Sequence, residues 1–268
     1  MDGSDRDEPF RRGSGHAGPF MSPISSPISS PISQVASPSA AAPVQVGNGV
    51  GNGHAPPAVP EFDDGFRAQL VQLVAWRRDV RRFRPDPLPG GALERLIETA
   101  CLAPSVGLSQ PWRFVTVDDP ARRAAVREEF RVCNAEALAS YAGDRAGRYA
   151  ALKLEGLREA PQQLAVFCDR STAVGHGLGR RTMPEMADYS VVAAICTMWL
   201  AARAEGIGLG WISILDPARM AGLLDVSLDW RFIGYFCLGY PQQADDRPEL
   251  ERARWERRRQ AQSCVLAR

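Results

Sequence analysis

A chain of 268 residues with 45% hydrophobic content can bury the core of one large domain or two small ones. Its 32 Lys and Arg against 31 Asp and Glu leave a formal charge of +1. That balance excludes a global field that recruits nucleic acid or an anionic membrane, and it points to small-molecule partners. The six cysteines are scattered without a C-x-x-C pair, and the three histidines do not cluster, so no metal site is expected. Reduced thiols, most of them packing in the core of a cytoplasmic protein, are the expected state.

Residues 1–60 are rich in Gly, Pro, Ala and Ser, and Ser-Pro-Ile-Ser occurs three times between Ser22 and Ser33. Such a segment has too little apolar area to offset the entropy of ordering, so a disordered tail is expected ahead of a folded part spanning 61–268. Met1 to Asp5 lacks the basic and apolar regions of a secretory signal. The longest nearly uncharged apolar run, Tyr189 to Ala202, has 14 residues, short of the ~20 that span a bilayer.

From Glu61 the pattern turns helical, with Asp63 or Asp64 as cap and Phe66, Leu70, Leu73 and Val74 on a 3.6-residue period. This helix runs into Arg77-Arg78-Asp79-Val80-Arg81-Arg82-Phe83. A guanidinium is a rigid fork that matches two phosphate oxygens and stays charged at any relevant pH. Several at a helix-to-extended corner suggest a phosphate site; the simpler alternative is cations answering the helix dipole in water. Asp79 among them is either a surface ion pair or a carboxylate held ionised for chemistry.

Pro85, Pro87 and Pro89 enforce extended chain, and Leu93, Leu96, Ile97 and Ala100 mark a second helix stopped by Pro104. The loop Ala103 to Trp112 then feeds a strand, Trp112 to Val117. Gly107 and Ser109 in it permit close backbone approach to a flat ligand, or serve only as a connector. Asp119-Pro120 opens a capped helix, and the chain reads as largely helical to Pro161 with breaks near Gly143 and Gly147. Leu164 to Cys168 is a buried strand. Gly175 to Pro184 has the glycines of a phosphate loop but runs into Met183-Pro184 rather than from strand to helix, so a mobile loop is expected. With His176 alone outside the tail, a Ser-His-Asp triad has little support.

Met186 to Arg203 is hydrophobic nearly all round, which places it in a core or an oligomer interface. Gly206 to Gly210 ends it before a strand, Trp211 to Leu215, whose Ser213 needs a hydrogen-bond partner. Asp216-Pro217 starts another capped helix, and Arg231 to Tyr240 is the last strand. Arg247 to Arg259 mixes Glu249, Glu251 and Glu256 with arginines, as in a solvated helix or an arm laid on a partner subunit.

Three motifs, Arg77-Arg78-Asp79-Val80-Arg81, Ala103-Pro104-Ser105 ahead of Gln110-Pro111-Trp112, and Gly210-Trp211-Ile212-Ser213, occur in an order that resembles flavin proteins of the nitroreductase fold. Gly179-Arg180-Arg181-Thr182-Met183-Pro184-Glu185-Met186 extends the likeness to the BluB-type branch, the flavin-destroying 5,6-dimethylbenzimidazole synthases. The resemblance covers roughly Phe62 to Glu251. Arg-Arg-Ser is the general nitroreductase pattern, and Asp79 in the third position is what separates the two groups.

The resemblance implies an α+β fold, a mixed β-sheet wrapped by helices, and a homodimer with FMN at the subunit interface. Arg77, Arg78, Asp79, Val80 and Arg81 would hold the flavin with its phosphate, and Pro104, Ser105 and Gly107 would line its ring system. Arg247 is the expected C-terminal phosphate contact. Reduced FMN would be the substrate and O2 the co-substrate, with a flavin reductase as supplier and no metal. Asp79 and Ser213 would be the catalytic pair. An NAD(P)H-dependent nitroreductase or dehalogenase and a flavin-storage module are the alternatives, and Ala139 to Leu157 with Gly175 to Pro184 are candidate lids.

Overall fold

A computed structural model describes residues 59–268, so the expected tail lies almost wholly outside the described residues. Helix α1 (Asp64–Trp76) starts where the Asp63 carboxylate accepts the Phe66 N–H at 2.7 Å, satisfying one orphan donor of the first turn. It ends at Arg77, whose backbone is extended. Although its apolar residues keep the helical period, α1 has no buried residue.

Helix α2 (Ala92–Ala100) leads to strand β1 (Trp112–Thr116). Helices α3 (Pro120–Ala139) and α4 (Gly143–Ala150) follow, then β2 (Gln162–Asp169), α5 (Met186–Ala204), β3 (Gly208–Ile212), α6 (Pro217–Leu224), β4 (Trp230–Gly239) and the short α7 (Glu249–Arg252). Asp119 and Asp216 cap α3 and α6 by accepting Ala121 N–H at 2.8 Å and Ala218 N–H at 2.9 Å, each with proline in the first turn. The helical run does break near Gly143, which at φ 56 begins α4 after the turn that ends α3, whereas Gly147, where a second break was expected, lies inside α4. The stretch from Leu152 to Pro161, expected to be helical, is not.

The strands form one sheet in the order β1-β2-β4-β3, antiparallel at every strand pairing. The parallel part of the expected mixed sheet is a single bridge between Asp79 and Leu209. The inner strands β2 and β4 are buried almost throughout and accordingly read as apolar runs without alternation. One face is covered by α2 and α5, with Leu96, Val191, Ile195 and Met198 against Leu164, Leu209 and Phe236. The other carries α3 and α6, with Val126, Met220 and Leu224 against Phe167, Ile212 and Tyr235. Among the described residues, no helix is long and apolar enough to cross a membrane.

Candidate functional site

The arginine-rich segment leaves α1 and crosses the edge of the sheet at β3. Val80 N–H donates to Leu209 O at 3.0 Å, Arg84 N–H to Tyr240 O at 2.8 Å, and the Phe83 ring is fully buried beneath the segment. The glycines Gly208 and Gly210, expected only to end a helix, are the reason the segment fits. A Cβ on Gly210 would overlap the Val80 carbonyl oxygen, and one on Gly208 would press into the Val80 side chain. That requirement starts β3 three residues earlier than the hydrophobic run indicates.

The arginines divide their tasks. Arg78 donates to the carbonyls of Ala75, Arg77 and Asp246, so part of the cluster does answer the C-terminal end of α1. Arg77 lies over the Trp199 ring at 4.9 Å, and Arg82 pairs with Glu249. Arg81 donates to Asp79 Oδ2 at 2.7 Å and to Lys153 O at 3.2 Å. A cleft of about 460 Å³ is lined by Asp79, Arg81, Arg82, Gln242 and Arg247. A smaller one of about 180 Å³ adjoins it, lined by Arg77, Arg78, Arg81 and Arg258.

Positive charge is in excess here. Burial first, then the charges of Arg258 and Arg77, hold the Arg78 guanidinium below its ordinary value. Arg78 Nε and Arg81 Nε are buried donors with no partner. Each such orphan costs about 1–3 kcal/mol, so an anionic acceptor in the cleft fits the donors present. A phosphate monoester has that chemistry. Arg247, the expected C-terminal phosphate contact, lines the larger cleft, while Arg258, which lines the smaller one with Arg77 and Arg78, was not anticipated. The Arg-Trp-Glu-Arg-Arg-Arg run at 254–259 is the signal that could have drawn attention to it.

Asp79 is half-buried with both oxygens engaged: Oδ1 accepts the Trp211 N–H at 2.9 Å, and Oδ2 accepts Arg81. A carboxylate has about four acceptor sites, so lone pairs remain for a further proton. Ser213 follows Trp211 by two residues, ~7 Å along extended chain. It is exposed just beyond the end of β3, and so needs no protein partner for its hydroxyl. Asp79 is thus tied to β3 at Trp211, two residues before Ser213 in the chain.

Pro104, Ser105 and Gly107 are not brought to that place. The Ser105 hydroxyl accepts the Gln110 N–H at 3.1 Å, and Val106 N–H donates to Ser190 Oγ at 3.0 Å, near the start of α5. Trp199, toward the other end of α5, donates its indole N–H to Arg78 O at 3.1 Å. Ser190 and Trp199 are ~13 Å apart along the helix axis. Against the Pro104 loop packs the glycine-rich segment, where a Cβ on Gly175 would overlap Gly107 O and one on Gly179 would press on Val106. Those glycines serve loop-on-loop packing and leave a cleft of about 640 Å³ beside His176, Arg181 and Thr182. Among the described residues, no group of three or more His, Cys, Asp or Glu side chains is gathered as metal ligands.

The model of the nitroreductase family matches residues 74–240. The protein named 5,6-dimethylbenzimidazole synthase in Rhodospirillum rubrum is 56% identical over 200 residues, which cover 75% of this chain and 95% of that one. A protein of the same name from Rhodobacter capsulatus is 48% identical over 195 residues, covering 73% and 94%. Among solved structures, oxidized iodotyrosine deiodinase bound to FMN and 3-iodo-L-tyrosine superposes with a TM-score of 0.54 at 25% identity, over 66% of this chain and 91% of that one. The chain belongs to the nitroreductase family and has its α+β fold. Within that family, its extended similarity is to proteins named 5,6-dimethylbenzimidazole synthase.

Proposed function

We propose that this protein is a 5,6-dimethylbenzimidazole synthase, an oxidoreductase that consumes reduced FMN and O2 and releases 5,6-dimethylbenzimidazole, the lower ligand of cobalamin, with erythrose 4-phosphate. The observation that carries the reading is the Asp79 carboxylate, fixed by Arg81 and by the N–H of Trp211, two residues before Ser213 in the chain. When bound, reduced FMN supplies the reactivity toward O2. Arg77, Arg78 and Arg81 from the corner after α1, with Arg247 and Arg258 from the C-terminal arm, would hold the phosphate, and Arg78 also ties the two segments together through Asp246 O. Asp79 accepts the proton that must leave the ribityl chain, with Arg81 balancing the carboxylate charge. Ser213 would offer its exposed hydroxyl to the ring system.

The Pro104 loop and the arginine cluster lie at opposite ends of α5, and α1 leaves its apolar face uncovered. A homodimer brings the loop of one chain toward the arginines of its partner, and α1 is the surface that joins them. The six free thiols suit the reducing cytoplasm, where a flavin reductase supplies the reduced substrate. Aerobic exposure to photoreduced FMN followed by mass analysis of products tests the reaction: dimethylbenzimidazole is expected, and return of oxidised FMN alone overturns it. Anaerobic bleaching of bound FMN by NADPH would favour a nitroreductase instead.

A further inference from the structure

The C-terminal arm crosses the arginine cluster and is fastened on both sides of it. On the near side, Asp246 O accepts from Arg78 and Glu249 pairs with Arg82. Helix α7 then stops in a reversed turn: Arg254 N–H donates to Glu251 O at 3.1 Å and Trp255 N–H to Leu250 O at 2.8 Å. Arg254 takes the left-handed conformation at φ 57 that such a turn requires and that glycine usually supplies.

The turn delivers Trp255 to an aromatic box formed by α4 and the turn before it. Tyr141 meets its ring edge-on at 5.5 Å, Tyr149 at 6.1 Å, and the Arg145 guanidinium lies over it at 5.6 Å. Tyr141 and Tyr149 are themselves stacked at 4.9 Å, and the Tyr149 hydroxyl donates to Asn134 Oδ1 of α3 at 2.8 Å. The box is therefore anchored in the body of the protein. Three residues beyond Trp255, Arg258 enters the small cleft with Arg77, Arg78 and Arg81. Among the described residues, no carboxylate forms an ion pair with Arg258. The half-buried Trp255 is the packed anchor next to it in the chain.

We infer that Trp255 is a positioning residue: by locking the arm into the Tyr141–Tyr149 box it holds Arg258 over the phosphate arginines, and so makes the site select phosphorylated over dephosphorylated flavin. The inference rests on the flavin-phosphate reading of the arginine cluster. Its mechanism is entropic. Arg258 has a long, flexible side chain on an arm with little regular structure, and a guanidinium already in place loses less freedom when it binds. Arg81 already has Asp79, but no ion pair holds Arg77 or Arg258 among the described residues, so a phosphate relieves their repulsion and the selectivity comes from it.

Titration of the full chain with FMN and, separately, with riboflavin reads this directly. Trp255→Ala is expected to weaken FMN about tenfold while leaving riboflavin within about twofold. Arg258→Gln should match it, and the double variant should be no weaker than either single one, because both remove the same grip. Trp255→Phe, which keeps a ring for the box, should restore most of the FMN affinity and keeps the test open if the alanine variant folds poorly. An unchanged FMN-to-riboflavin ratio in Trp255→Ala, or additive losses in the double variant, overturns the positioning role. Wild-type protein that binds neither flavin would instead bring down the flavin reading itself, and the inference with it.

Discussion

The Asp79 carboxylate accepts the backbone N–H of Trp211 at 2.9 Å, which ties the arginine-rich segment to β3 two residues before Ser213. Its other oxygen takes Arg81 at 2.7 Å. Asparagine at position 79 keeps an acceptor for Trp211 but presents an amide to Arg81 and carries no charge to accept a proton. Asp79→Asn is therefore expected to lower dimethylbenzimidazole formation by at least ~100-fold while FMN affinity changes by no more than about fivefold. Product quantification beside a binding titration separates the two effects. Retained product formation would remove Asp79 from the chemistry.

Gly210 makes the crossing of Val80 over β3 possible. The added methyl of Gly210→Ala has no side chain to push aside, only the Val80 carbonyl, so the backbone must move. A loss of about 3 kcal/mol of stability is expected, together with weakened FMN binding as the arginine segment lifts. Gly222→Ala in α6 is the counterpart, since nothing lies within 4 Å of its added Cβ. It should stabilise by about 0.5–1 kcal/mol with FMN binding unchanged. Thermal denaturation of the two variants checks the contrast.

The elements that could be read from the sequence were those specified by local chemistry. Asp63, Asp119-Pro120 and Asp216-Pro217 announce helix starts because a capping carboxylate and an N-terminal proline act within one turn. The apolar runs of β2 and β4 likewise announce strands with both faces buried. Gly208 and Gly210 misled because their use depends on a segment more than 120 residues earlier in the chain. The glycines of 175–179 do not read as a phosphate loop, but the use of Gly175 and Gly179, packing on Gly107 and Val106, was not legible for the same reason. Within the site, the Arg77–Arg81 motif and Asp79 were legible as a cluster. Arg258 was not, because its approach to Arg78 depends on the turn at Arg254 and the docking of Trp255.

Buried thiols and a phenol set the alkaline limit of stability. Burial, then the charge of Asp188 and a hydrogen bond to it, pushes the Cys168 thiol up to about 12. Burial also raises Tyr235 and Cys237. The unfolded chain releases the Cys168 proton near the ordinary value of 9.0, while the native state keeps it to about 12. Above that lower value the native state binds more protons than the unfolded one, so stability falls as pH rises. Melting temperature should be level between about pH 7 and 8 and decline between pH 9 and 12, less steeply in Cys168→Ala. Thiol reagents at neutral pH should label the exposed Cys196 and Cys264 first and spare Cys168 and Cys237 until the protein unfolds.

Helix α1 keeps a helical apolar period yet leaves Phe66 44%, Leu70 44% and Val74 48% exposed. Covering such side chains is worth up to about 1.5–3 kcal/mol each, enough for a few of them to sustain association of two copies. Charges placed there should not harm a single chain, because no residue of α1 is buried within it. The Leu70→Glu, Val74→Glu double variant is expected to keep its far-ultraviolet circular dichroism and to sediment as a monomer. Because Pro104 and Ser105 lie at the other end of α5 from the arginines, that monomer should lose flavin binding by at least about tenfold. If the variant stays dimeric, α1 is not the interface. If it is monomeric and binds FMN like the wild type, each chain holds its flavin alone, and the Pro104 loop of a partner is not part of the site.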